Sequence, residues 1–388
     1  MPMAANNPAA LKLRLAVYGV AAEAEHRPGE TLEMILPDDS WARARVDPKS
    51  PIRLAESPGL NAINDGETES VVRLVPAPGF ATKRNARGIP LGEIVAMRGT
   101  YATIALGGGC GLSVVGRTCA LCRGRELTEK AGELWPVDEV VEAVRDAFDD
   151  GDAEFVHFVL GYFPGDDAGV ATLRPYLEAI HRHFDTIVAV TMHPPADLRA
   201  IDLTYAAGVD VLSYNLEAAD DPAMRRYFPG RARDVFLGRA RYLAALAHAA
   251  RILPSGAVWS ELLLDLAPRP AVEAAIAELV GLNVMPLLGV SASLETPALE
   301  MTDAAASAAF LFDAVTRSGM SLNWLRDIST SLTALEARHF VAGGSQLPML
   351  LHQLSRNRLG ALTTRSLARL RRRLRVKRVR ASFDSSSL

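Results

Sequence analysis

Cys110, Cys119 and Cys122 fall within thirteen positions, and the 388-residue sequence contains no other cysteine. A single tight group of thiols points to a metal or an iron–sulfur site, whereas scattered cysteines read as small buried residues or disulfides. A structural zinc site takes four protein ligands, and neither a fourth cysteine nor a His-x3-5-His pair follows at finger spacing. A [4Fe–4S] cluster held by three thiolates leaves one iron open to an exogenous ligand, which makes it a reactive centre. Gly107, Gly108, Gly109 and Gly111 flank the first cysteine and suit a backbone that wraps a cluster closely. A zinc knuckle and three core thiols are the competing readings.

The elements around this loop set where it would act. From about residue 100, apolar strands alternate with helices. Strands are expected at Thr100–Leu106, Glu154–Leu160, Thr186–Thr191, Asp210–Tyr214, Ala257–Asp265 and Val284–Leu288. Helices are expected at Pro136–Asp149, Ala168–Phe184, Ala196–Ala207, Ala232–Arg251, Pro270–Leu282 and Thr302–Ser318. Strands rich in Val, Ile and Leu, each followed by a helix, predict an α/β protein with a parallel sheet. Six such units can curl into a partial (β/α)6 barrel with its chemistry at the C-terminal strand ends. The cysteine loop follows the first of these strands directly.

Upstream, Leu11–Val20, Leu32–Leu36, Ala42–Val46 and Val71–Val75 read as short strands separated by turn residues such as Pro28-Gly29 and Asn64-Asp-Gly66. The expected organisation is a small β-rich module and connector over residues 1–98 and a barrel over 99–320. A helical extension with a basic tail covers 321–388.

Other strand ends carry polar groups. The fourth strand runs into Asn215 and Glu217, an amide and a carboxylate two apart, which on a strand point the same way. Gly161 and Tyr162 follow the second strand, His193 follows the third, and Glu261 and Leu263 lie on the fifth. His193, Tyr162 and Glu261 are the candidates to face a substrate. His157, in mid-strand, reads as a core histidine, and Asp220 and Asp221 before Pro222 read as a helix cap.

A three-cysteine loop after the first strand of a six-unit α/β chain resembles the radical S-adenosylmethionine (radical SAM) superfamily, and most closely members like biotin synthase and lipoyl synthase. The commonest spacing there is Cys-x3-Cys-x2-Cys. Here the final Cys-x2-Cys is intact and the first interval is expanded to eight residues, with Leu121 where an aromatic residue is usual. The resemblance implies that Cys110, Cys119 and Cys122 hold a [4Fe–4S] cluster whose open iron is chelated by S-adenosyl-L-methionine. One-electron reduction would then release a 5′-deoxyadenosyl radical that abstracts hydrogen from a substrate. It further implies ribose contacts from Asn215 and Glu217, a backbone contact to the methionine amine at Gly161, and packing of Leu263 on adenine. Arg239 and Arg241 resemble the helix from which biotin synthase-like proteins send an arginine toward the site. The family's Gly-x-x-Glu is absent from the fifth strand end, which leaves its adenine contact without a counterpart.

Composition bounds what remains. A 49% hydrophobic, 22% charged chain can bury a large core, so disorder is not expected. A net charge of −3 gives no bulk attraction to nucleic acid or to an anionic membrane. Neither a signal peptide nor a spanning segment is read, and three close thiols fit a reducing compartment, so a cytoplasmic location is expected. Arg369, Arg371, Arg372, Arg373, Arg375, Lys377, Arg378 and Arg380 make the tail strongly basic. With Leu367, Leu370 and Leu374 at helical spacing, it reads first as a solvated amphipathic helix. The partners expected are a small-molecule substrate and an electron donor such as flavodoxin or ferredoxin. The alternatives are a radical SAM enzyme that modifies RNA through the tail and a nonenzymatic zinc-stabilised RNA-binding protein.

Overall fold

Asn7 caps the first helix, α1 (Pro8–Tyr18), by accepting from the backbone N–H groups of Ala9 and Ala10, with Pro8 in the first turn. The computed structural model describes residues 7–22, 26–57, 60–66, 68–106, 134–150, 153–163, 165–232, 237–291, 299–325 and 328–341. Helix α1 replaces the strand expected over Leu11–Val20. Its Leu11 and Leu15 pack into the core of the N-terminal sheet, while Ala9 and Leu13 pack into the larger core. Two i,i+4 apolar pairs offset by two residues give a period of two in the sequence, which imitates a strand. Lys12, on the same helix, is buried, donates to the Ile328 carbonyl at 2.6 Å and pairs with Glu336.

The N-terminal sheet is antiparallel, with order β2-β1-β5-β4-β3. Its strands are β1 (Thr31–Ile35), β2 (Trp41–Arg45), β3 (Arg53–Ser57), β4 (Leu60–Asn64) and β5 (Glu69–Val75). Strands β3 and β4 were not among those expected, because their short, mixed composition carries little periodic signal. Leu32, Met34, Leu54, Ile63 and Val72 close its core against α1.

Helix α2 (Leu91–Ile94) leads into the second sheet. This sheet contains β6 (Ala96–Arg98), β7 (Tyr101–Leu106), β8 (Phe155–Leu160), β9 (Ile187–Thr191), β10 (Val211–Ser213), β11 (Val258–Leu263) and β12 (Met285–Gly289). Their order is that of the chain: β6 is an antiparallel edge strand, and β7 through β12 are parallel. Helices α3 (Val137–Asp149), α4 (Val170–His183) and α5 (Arg199–Ala206) follow β7, β8 and β9. After β10 come α6 (Asp221–Tyr227), α7 (Pro229–Ala232) and α8 (Arg239–Ile252), the last of which is the helix expected over Ala232–Arg251 with a later start. Extended Gly238 marks the start of α8. Then α9 (Arg269–Gly281) follows β11 and α10 (Met301–Ser318) follows β12. The α/β class expected from the strand–helix alternation is observed.

The sheet is curled. Residues from all seven of its strands, from Arg98 on β6 to Leu287 on β12, line one cavity of about 160 Å³. Past α10 the chain was expected to be helical. Leu332 instead extends the sheet edge through paired backbone hydrogen bonds with Leu288 (2.7 and 2.9 Å), which satisfy edge groups of β12. Only α11 (Ala334–Ala337) and a single 3-10 turn at Arg338–Phe340 follow among the described residues. The basic tail lies outside them, and no described helix is long and apolar enough to cross a membrane.

Candidate active site

Alternation along the strands decides which side chains reach the lumen. Trp259 and Glu261 on β11, His157 and Val159 on β8, Ala189 and Thr191 on β9, and Val211 and Ser213 on β10 all face it. The segment just before Leu332 closes one side with Ile328, Thr330 and Ser331.

Asn215, beyond β10, also lines the cavity. Its Oδ1 accepts from the Ser213 hydroxyl (2.5 Å) and from the Glu261 backbone N–H (3.3 Å). A backbone N–H can only donate, so this contact identifies the amide oxygen and leaves the Nδ2 donors for the cavity.

Glu217 does not share this environment. Strand β10 ends at Ser213, and Glu217 has left-handed backbone (φ 64°), so alternation does not carry through to it. Its N–H donates to the Glu261 carbonyl (2.8 Å), and its carbonyl accepts from Leu263 (2.9 Å). Its carboxylate pairs with Arg231, a buried guanidinium that stacks over Phe228 and Tyr242 at 4.8 and 4.6 Å from the ring centroids. Arg231 also reaches the Asn215 carbonyl at 3.3 Å.

Glu261 has no such counter-ion in contact. Burial pushes its carboxyl up to about 7; the Ser331 hydroxyl (2.5 Å) and the more distant Arg98 pull it down, and the Glu217 charge pushes it up. His157, expected as a core residue, faces the cavity and lies 2.9 Å from the Thr191 hydroxyl. Burial and then the Arg98 charge push it down to about 3, so it is neutral at ordinary pH. Burial pulls Arg98 below its usual value as well, although a guanidinium stays charged.

The remaining expected residues divide. His193 Nδ1 lies 2.6 Å from the Tyr242 hydroxyl, and its ring meets Tyr162 edge-on with centroids 6.0 Å apart. These three form a rim cluster at the ends of β8 and β9. Gly161 follows β8 and does not take a left-handed conformation, so its φ places no demand for glycine. Leu263 is buried with Met224, Tyr227 and Phe228 under α6. Asp220 is the cap of α6, accepting from Ala223 (2.8 Å). Arg239 donates to the Ala219 carbonyl and pairs with Glu278, and Arg241 holds the carbonyls of Pro195 and Ala196, so both brace loops. Cys110, Cys119 and Cys122 lie outside the described residues, in the connection between the C-terminal end of β7 and α3.

Arg98 and Ser331 escaped the sequence reading because they come from a three-residue edge strand and from a segment far along the chain. His157 left a signal, as a polar residue inside an otherwise apolar strand.

No protein-family model and no curated protein matches the chain. Among solved structures it is similar to the X-ray structure of the FeFe-hydrogenase maturase HydG from Carboxydothermus hydrogenoformans. That match has 15% identity, covers 56% of this chain and 52% of that one, and has a TM-score of 0.43. A second structure, HydG as a maturase of the [FeFe]-hydrogenase, matches at 13% identity over 58% and 52%, with a TM-score of 0.43. The chain thus spans about half the length of each.

Proposed function

We propose that this chain is a radical SAM enzyme with one [4Fe–4S] cluster on Cys110, Cys119 and Cys122, acting on a small molecule. One observation carries the reading. The loop with every cysteine of the chain leaves the C-terminal end of the first of six parallel strands, in a sheet curled around a cavity whose largely apolar wall carries a few polar groups. On this reading the curled sheet corresponds to a partial (β/α)6 barrel. In such a barrel the strand ends are where chemistry gathers. The donor set fits the group: three soft thiolates, with no fourth to close a tetrahedral zinc site.

When bound, the cluster supplies the electron that cleaves the sulfonium of S-adenosyl-L-methionine. The protein's own residues hold and shield. Asn215, with its oxygen occupied twice, offers its amide N–H groups to a ligand hydroxyl or carboxylate. The Arg231–Glu217 pair fixes the backbone that carries Asn215. Apolar side chains around the lumen exclude water from a reactive intermediate. Reducing equivalents would come from a donor such as flavodoxin or ferredoxin.

Anaerobic reconstitution with iron and sulfide tests this. The expected product is a brown protein with about four irons and four sulfides per chain, and each Cys→Ala variant should lose the colour. Stoichiometric zinc with no iron–thiolate absorption would favour a zinc-stabilised fold instead.

A further inference from the structure

Arg98, exposed by surface area, stands apart from the arginines bound into the fold. Arg231 pairs with Glu217, and Arg239 and Arg241 are tied to carboxylate or carbonyl partners. Arg98 projects from the edge strand β6 into the lumen, remains accessible to solvent there, and makes no hydrogen bond or ion pair with any described residue. Its opposite charges, Glu33 on β1 and Glu261 on β11, act on it from beyond contact. Glu33 is partly engaged: its Oε1 accepts from Ser329 (3.0 Å) and lies 3.6 Å from Arg43, while its buried Oε2 has no hydrogen-bond partner among the described residues.

The charge of the lumen follows from its titratable groups. His157 is neutral at ordinary pH, and Glu261 is protonated below about 7. Glu217, behind β10, is neutralised by Arg231. Among the described residues, one uncompensated cation therefore faces the cavity. A guanidinium in that position is a fork for a carboxylate, which it can bind through two parallel hydrogen bonds. The rest of the wall favours an organic body: Val159, Val211, Leu287 and Trp259 supply apolar surface, and Asn215 and Thr330 supply polar contacts.

We propose that the lumen is an anion site that anchors the carboxylate of a small organic acid on Arg98, with the acid's apolar part against Val159, Val211 and Leu287. Resting on the radical SAM reading, the acid is the substrate held beneath the strand ends; the binding itself requires no cofactor. Glu261 acts as a gate on this site. When it ionises, it competes with the ligand for Arg98 and repels the carboxylate, so affinity falls as pH rises through about 7.

Saturation-transfer NMR on the full chain, without cluster or cofactor, tests the site with propionate, its neutral isostere propionamide and inorganic phosphate. Propionate should bind saturably at pH 6 and propionamide should not. Arg98→Met should weaken propionate binding by at least about tenfold. Arg98→Lys, which keeps the charge and loses the fork, should retain part of it and carries the comparison if the methionine variant does not fold. Glu261→Gln should bind equally at pH 6 and pH 8, while the native protein loses affinity across that interval. Equal binding of propionamide, unchanged binding in the Arg98 variants, or no saturation up to about 100 mM propionate would overturn the proposal. Tighter binding of phosphate than of propionate would overturn its organic-acid form. Because no cluster is present, failure here leaves the iron–sulfur result standing, and the converse also holds.

Discussion

Glu217, past the end of β10, and Glu261, on β11, are neighbours, joined by the hydrogen bond from Glu217 N–H to the Glu261 carbonyl. Their surroundings are opposite. The outer pocket gives Glu217 a buried guanidinium clamped between Phe228 and Tyr242. The lumen gives Glu261 a hydroxyl, a backbone shared with Asn215, and a cation held out of contact. A paired carboxylate is structural cement. An unpaired one in a cavity is a proton store, and it leaves the nearby Arg98 for something else. The contrast separates the part of the mouth that holds shape from the part open to a ligand.

Breaking the outer pair should have the largest effect. Arg231→Met strands the Glu217 carboxylate and should destabilise the fold by about 4 kcal/mol in denaturant unfolding. Adding Glu217→Gln should recover most of that loss, since no charge is then left unpaired. A single variant as stable as the native chain would remove the contrast.

The lumen carboxylate should act through pH. Its folded value of about 7 lies above its unfolded value of 4.5. Between these the unfolded chain has released the proton and the native chain has kept it, so stability falls as pH rises, and the full loss of about 3 kcal/mol is reached above pH 7. Glu261→Gln should remove this contribution, read as the difference between native and variant unfolding free energies at pH 4.5 and 8, in which the opposite slope from neutral, buried His157 cancels. An unchanged pH slope would mean that Glu261 is not the group responsible.

Space around Glu261 is the next element. A Cβ on Gly289 would sit 2.6 Å from Glu261 Oε1 and 3.0 Å from Leu263 Cδ2. Gly289→Ala should cost about 1–3 kcal/mol by overpacking and shift the Glu261 titration measured by carbon-13 NMR. The smallest effect belongs to Ser331→Ala. Loss of its hydrogen bond should cost about 1 kcal/mol and raise the Glu261 titration further, because that bond favours the ionised form.

The parallel sheet was legible because its strands are apolar on both faces and each is punctuated by a helix, a pattern that survives without tertiary context. Helix α1 was not, since packing against two cores at once gave it a strand's periodicity. Glu261 and Asn215 could be found from their positions at strand ends. Arg98 could not: its importance comes from sheet curvature, which brings β6 within electrostatic reach of β11. The pairing of Glu217 with Arg231 likewise depends on α7 folding over the end of β10, which no local spacing encodes. The cysteines announced themselves by clustering alone.

The most direct measurement is anaerobic incubation of the reconstituted protein with S-adenosyl-L-methionine and dithionite, with 5′-deoxyadenosine quantified by chromatography. The account predicts its formation by the native chain and its loss in Cys110→Ala, Cys119→Ala and Cys122→Ala. Reconstituted native protein that forms none, or cysteine variants that form as much, would contradict it.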